Sequence, residues 1–245
     1  MDVTAPDNAS SFRLAFVPGV TPSKWVRTWS ERLPKVRLEL VPIDVAACAD
    51  ALRDGRVQMA ITRLPDAVSH RDPGPHHTIE LYEETTVVVV PKDHVITAVD
   101  EIGLADLADE QLLWPLDIPL VVGQKPGTAV EHRPETTTDA IELVAAGTGL
   151  LLVPQSLARL HHRKDLAYCP VTDAPTGSVG LLWPAPTSEL ADEFIGIVRG
   201  RKATSSRGQS EPAPKRSAKE KAAAKRASRE AAGKTPGKGP RKPRR

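Results

Sequence analysis

Hydrophobic and polar positions repeat along this chain with two alternating periods. FRLAFVPG (12–19) is an apolar run that closes on a turn and reads as a buried strand. TPSKWVRTWSERLP follows, with Thr21 as helix N-cap and Pro22 at the first helical position. Trp25, Trp29 and Leu33 then share one helical face, and Pro34 stops it. VRLELVPI (36–43) alternates as a strand; DVAACADALRDG places Asp44 as cap, Val45, Cys48 and Leu52 on one face, and Gly55 as the stop. VQMAIT (57–62) is a further short buried strand. Strands alternating with helices in this way predict a mostly parallel sheet covered by helices.

The pattern resumes after a Pro/His-rich loop (65–77) with TTVVVVP (85–91), too continuously apolar for an exposed strand. GLADLAD predicts a short helix, QLLWP a strand, and TTTDAIELVAAG a helix whose Asp139–Glu142 spacing mimics a capping box. Gly147 suits the left-handed end of that helix, and Gly149 lets the chain turn sharply into the buried strand LLLV, which Pro154 ends. A helix from about Ser156, the strands DLAYCPV and SVGLLWP, and a helix over Ser188–Arg199 complete the order. Leu190, Phe194, Ile197 and Val198 form the apolar stripe of the last helix.

Charge divides the chain in two. From Arg201 onward it carries 16 Lys/Arg against three acids, a net of +13, whereas residues 1–200 carry 17 against 28, a net of −11. An acidic globular domain is therefore followed by a basic tail. No apolar run approaches the roughly 20 residues a membrane helix needs, and MDVTAPDNASS lacks the basic flank and apolar stretch of a secretory signal. A cytoplasmic protein is expected, with no membrane partner. Cys48 and Cys169 have no metal or redox spacing and read as small core residues.

The corner IELVAAGTGLLLVPQSLARL resembles a segment of the effector-binding domain of LysR-type transcriptional regulators. FRLAFVPG is similar to that domain's first strand, ERLPKVRLELVPID to its second, and ADALRDGRVQMAIT, YEETTVVVVPKDHVIT and VGLLWP to later steps, in order over roughly residues 12–200. Gln58 stands where the family usually has Asp, and Val95–Ile96 replaces Pro-Leu after His94. Members of the family carry an N-terminal winged helix-turn-helix; here the effector-domain strand begins at about Phe12, so that module is expected to be missing. The resemblance implies an α/β, two-lobed, periplasmic-binding-protein-like (type 2) effector-binding fold. Lobe I would take residues 12–90 and 185–200 and lobe II residues 91–184, with the chain crossing near Val90–Pro91 and Trp183–Pro184. Residues 1–11 and the tail, 201–245, are expected to be disordered.

The implied function is capture of a small-molecule effector, an organic acid being one candidate, by a regulatory protein and not an enzyme. By family analogy a homodimer, or pairing with other LysR-type proteins, is expected. Thr21, Pro22 and Ser23, then Thr62 and Arg63, then Thr137, Thr138 and Asp139 should line one cleft, with helix starts offering N–H groups and Arg63 a bidentate carboxylate partner. The alternative for these residues is plain helix capping at Thr21 and Asp139 and a solvated Arg63. Ser156 lacks a G-x-S-x-G elbow, Gly147-Thr148-Gly149 lies on the wrong side of a strand for a phosphate loop, and His76-His77 and His161-His162 are neighbours that point apart. No cofactor or metal is therefore expected. In the tail, Lys215, Arg216, Lys219, Lys225, Arg226, Lys242, Arg244 and Arg245 are the candidates for nonspecific nucleic-acid contact and nucleoid association. A stand-alone binding module without DNA contact, its tail acting as a solubilising segment, is the alternative. Solute capture for transport is disfavoured by the missing signal.

Overall fold

The computed structural model describes residues 11–64, 76–120 and 122–201. The expectations for residues 1–10 and the tail beyond Arg201, including its DNA-contact candidates, lie outside these residues. So does most of the Pro/His-rich loop.

Two mixed sheets of five strands organise the domain. The first contains β1 (Ser11–Phe16), β2 (Arg37–Pro42), β3 (Met59–Leu64), β4 (His76–Glu84) and β10 (Gly177–Pro184), in the order β2-β1-β3-β10-β4. The second contains β5 (Thr86–Pro91), β6 (Gln111–Leu113), β7 (Thr128–Ala129), β8 (Leu150–Pro154) and β9 (Leu166–Pro170), in the order β7-β6-β8-β5-β9. In each sheet three neighbouring strands run parallel and two join antiparallel. The expected mostly parallel sheet is thus corrected to two mixed ones.

The helices are α1 (Ser23–Arg32), α2 (Cys48–Arg53), α3 (Thr137–Ala145), α4 (Gln155–Leu160) and α5 (Glu189–Val198). In the first lobe, Trp29 of α1 stacks on Phe12 of β1 at 4.9 Å, and Phe194 of α5 meets both rings at 5.9 Å. Trp29 Nε1 donates to Val36 O at 2.9 Å, so the buried indole leaves no lost donor. In the second lobe β5 and β8 are buried on both faces, which explains their unbroken apolar runs. Val88, Val90, Leu112, Leu150 and Leu152 face one core; Val87, Val89, Leu113, Leu151 and Val153 face another, with Ala140, Ile141 and Val144 of α3.

The lobe boundaries differ from expectation. β5 pairs with β8 and β9, and β10 pairs with β3 and β4. The chain therefore crosses at Thr85, between β4 and β5, and returns across 172–176, between β9 and β10. Hydropathy marks both β5 and β10 as buried but carries nothing about which sheet buries them.

Candidate functional site

The first strand ends at Phe16, and the loop Pro18-Gly19-Val20-Thr21 carries the chain to α1 over the carboxyl end of the sheet. Such edges are where open α/β folds hold ligands. That loop meets two other segments: the first crossing, Tyr82 to Thr85, and the start of α4 in the second lobe. Gln155 N donates to Thr85 O at 2.9 Å, fixing α4 to the crossing. Between the three lies a cavity of about 760 Å³, lined by residues including Thr21, Tyr82, Glu83, Glu84, Ser156 and Arg159.

Arg63 forms the wall beside it. Its side chain is only 4% exposed and each of its nitrogens is bonded to protein. Nε donates to Glu84 Oε2 at 2.8 Å, Nη1 to Pro18 O at 3.0 Å, and Nη2 to Ser156 Oγ at 2.9 Å. Arg63 and Glu84 belong to the first lobe and Ser156 to the second, so one guanidinium ties β3 to α4. Gly19 is required by this approach. Its φ is +86°, and a Cβ there would lie 2.7 Å from Ser156 Oγ and 3.0 Å from Arg63 Nη2. Burial, with help from the Glu84 carboxylate, pushes the Tyr82 phenol above its ordinary range, and Arg63 opposes this.

The sequence-derived site residues separate into three groups. Thr21 is exposed and lines the cavity, but it does not cap α1: Pro22 holds that position, and among the described residues no side chain caps the helix. Pro22 is buried and Ser23 is the exposed first residue of α1. Thr62 and Arg63 do not share one opening, because consecutive strand residues point to opposite faces. Thr62 lies buried beside Cys48, whose thiol is raised by burial against the opposing Thr62 hydrogen bond. Arg63 is neither solvated nor open to a bidentate carboxylate ligand, since Glu84 already takes its Nε.

At α3 the cap is Thr136, one turn earlier than the Asp139–Glu142 spacing indicated. Thr136 Oγ1 accepts from Asp139 N at 3.1 Å, and Asp139 Oδ2 accepts from Thr136 Oγ1 at 2.7 Å. Asp139 is the return arm of a capping box. Thr137 is buried and donates to Asp117 Oδ1 at 2.9 Å, while Thr138 is exposed. None of these three lines the 760 Å³ cavity. Glu84, Ser156, Arg159 and Tyr82 had no sequence signal of their own; their one trace was the buried-strand-to-helix corner at Pro154. Among the described residues no group of three or more His, Cys, Asp or Glu is placed to hold a metal ion, and no helix is long and apolar enough to cross a membrane.

Comparison with known proteins gives the family. The LysR substrate binding domain matches residues 7–203. The chain is 31% identical over 135 residues to the HTH-type transcriptional regulator CatR of Pseudomonas putida, covering 51% of this chain and 44% of that protein. It is 29% identical over 191 residues to the HTH-type transcriptional regulator IlvR of Caulobacter vibrioides, covering 71% and 60%. The chain therefore spans about half the length of the curated relatives it matches. In three dimensions it is similar to the BenM effector binding domain with its effector benzoate, with a TM-score of 0.64 at 23% identity, over 83% of this chain and 96% of that one.

Proposed function

The chain belongs to the LysR substrate binding domain family, and on that premise we propose that it is the effector-sensing part of a transcriptional regulator, with the interlobe cavity as its ligand site. The observation that carries this reading is the cavity of about 760 Å³, walled by both lobes and by the crossing between them. That volume lies in the range of small-molecule pockets, about 300–1,000 Å³. A molecule seated there touches both lobes at once, so it favours the lobe arrangement that fits it best and shifts the population accordingly. The related BenM domain is described with benzoate as its effector, which supports a compact organic molecule here.

Thermal-shift screening of the protein against a metabolite library tests the reading. A hit should raise Tm in the wild type and lose its effect in Thr21→Trp, where a bulky ring fills the mouth from an exposed position. An unchanged response in Thr21→Trp places binding elsewhere.

The basic tail serves a second, sequence-independent contact in this proposal. Lys215, Arg216, Lys219, Lys225, Arg226, Lys242, Arg244 and Arg245 lie in a segment of net charge +13, and such a segment gains free energy on a polyanion by releasing counterions. Duplex binding should then weaken steeply with salt, and a chain ending at Ala203 should lose both affinity and salt slope. Equal slopes for the two chains would leave a ligand-binding module without tail-borne DNA contact.

A further inference from the structure

We propose that Ser156 is the residue through which the interlobe cavity selects its occupant: its hydroxyl hydrogen is donated to an acceptor oxygen of the bound molecule while Arg63 holds the hydroxyl oxygen from the other lobe. This inference rests on the effector-site reading above and adds the contact that discriminates among occupants. A serine hydroxyl has one hydrogen to give and two lone pairs to offer. Arg63 Nη2 donates into one of those lone pairs at 2.9 Å, and a guanidinium accepts nothing in return. The Ser156 hydrogen therefore points away from Arg63, and among the described residues no group accepts it. Ser156 is half-buried near the start of α4 and lines the cavity of about 760 Å³. Its hydrogen is thus left for whatever fills that space.

The hydroxyl is also fixed in place before any ligand arrives. Arg63 is 4% exposed and is anchored to Glu84 Oε2 at 2.8 Å and Pro18 O at 3.0 Å, so the group that holds Ser156 is itself immobile. Gly19 closes the other side: a Cβ there would lie 2.7 Å from Ser156 Oγ and 3.1 Å from its Cβ. A donor oriented in advance loses little freedom on binding. Other polar groups around the cavity lack that constraint. Thr21 is exposed and Tyr82 is 40% exposed. Arg159 turns its Nε to the Tyr168 hydroxyl at 3.3 Å, and Tyr168 does not line the cavity. Arg63 and Glu84 are already committed to each other. An oriented neutral donor calls for an oxygen acceptor, whether carbonyl, hydroxyl or carboxylate. A hydroxyl that accepts and donates at once is polarised by both bonds, each of which strengthens by about 10–30%. The occupant therefore tightens the contact that joins the lobes.

The test compares matched pairs of compounds on the full chain, by thermal shift and by titration calorimetry. The probes are acetophenone with ethylbenzene, which lacks only its oxygen, and every oxygen-bearing compound of the metabolite library that raises Tm, paired with analogues lacking one oxygen at a time. For each compound whose binding Thr21→Trp blocks, removal of one of its oxygens should weaken binding to the wild type by about three- to tenfold, the contribution of a single hydrogen bond. In Ser156→Ala that ratio should fall to about one. A purely structural role for Ser156 would weaken both members of a pair alike and keep the ratio, so an unchanged ratio overturns the inference. Ser156→Cys, whose thiol is a weak donor, serves if the alanine variant does not fold, and should lower the ratio in the same direction. If compounds act and Thr21→Trp blocks them but neither Ser156 variant alters any ratio, the serine contact is wrong and the effector site stands. If no compound of any kind acts, both fall.

Discussion

Arg63 is a structural tie, and the cost of removing it follows from its burial. Arg63→Ala would leave the Glu84 carboxyl almost fully buried and without the guanidinium that pairs it. Breaking a buried ion pair from one side costs about 3–5 kcal/mol, so urea unfolding should show a loss of that size. A loss below about 1 kcal/mol, the ceiling for surface pairs, would mean the pair is solvated in solution. Gly19 should be nearly as intolerant. An alanine there adopts a left-handed backbone at about 1–2 kcal/mol and also crowds Ser156 and Arg63, so Gly19→Ala should lower the unfolding midpoint measurably. The two thiols make a simpler case. Burial raises the pKa of Cys48 and Cys169, which leaves less thiolate at any given pH than an ordinary cysteine has. At pH 8 a thiol reagent should therefore modify neither in the folded protein and both in denaturant; fast modification of the native chain would contradict their packing.

Helix ends show how far local sequence rules reach. Three threonines precede Asp139, and the rule that a hydroxyl or carboxylate caps a helix start is satisfied by several registers. What selects Thr136 is that Asp139 then falls three residues later and returns its hydrogen bond, while Thr137 turns inward to Asp117. The contact with Asp117, twenty residues away, is invisible to any local window. Thr136→Ala should lose about 1 kcal/mol of stability by thermal or urea unfolding, whereas Thr21→Ala, at a position that caps nothing, should stay within about 0.5 kcal/mol of wild type. Equal losses would restore Thr21 as a cap. Strand β4 escaped sequence reading for a related reason. HHTIELYEE alternates weakly and carries four charged or imidazole groups at its ends, so only its long antiparallel pairing with β10 makes it a strand.

At the scale of the whole molecule, the α/β class, the order of the elements other than β4 and β7, and most core residues were legible, because buried runs and helix stripes are recorded in each element's own residues. Trp29, Phe12 and Phe194, distant in sequence, each showed their inward face locally before they met as one cluster. Lobe membership was not legible, since Val87–Val90 would suit either sheet, and the cavity wall depended on three segments meeting at one place. That interleaving has a consequence for how the chain is made. Residues 86–171 form the second lobe without interruption, whereas the first lobe waits for β10, which alone connects β4 to β3. A ribosome therefore releases everything the inserted lobe needs while its host still lacks a central strand and the α5 ring of Phe194. Translation intermediates arrested so that about residue 175 has just cleared the exit tunnel should resist protease over the inserted part and be cut within 11–84, so the interlobe cavity comes into being only once β10 and α5 have emerged as well.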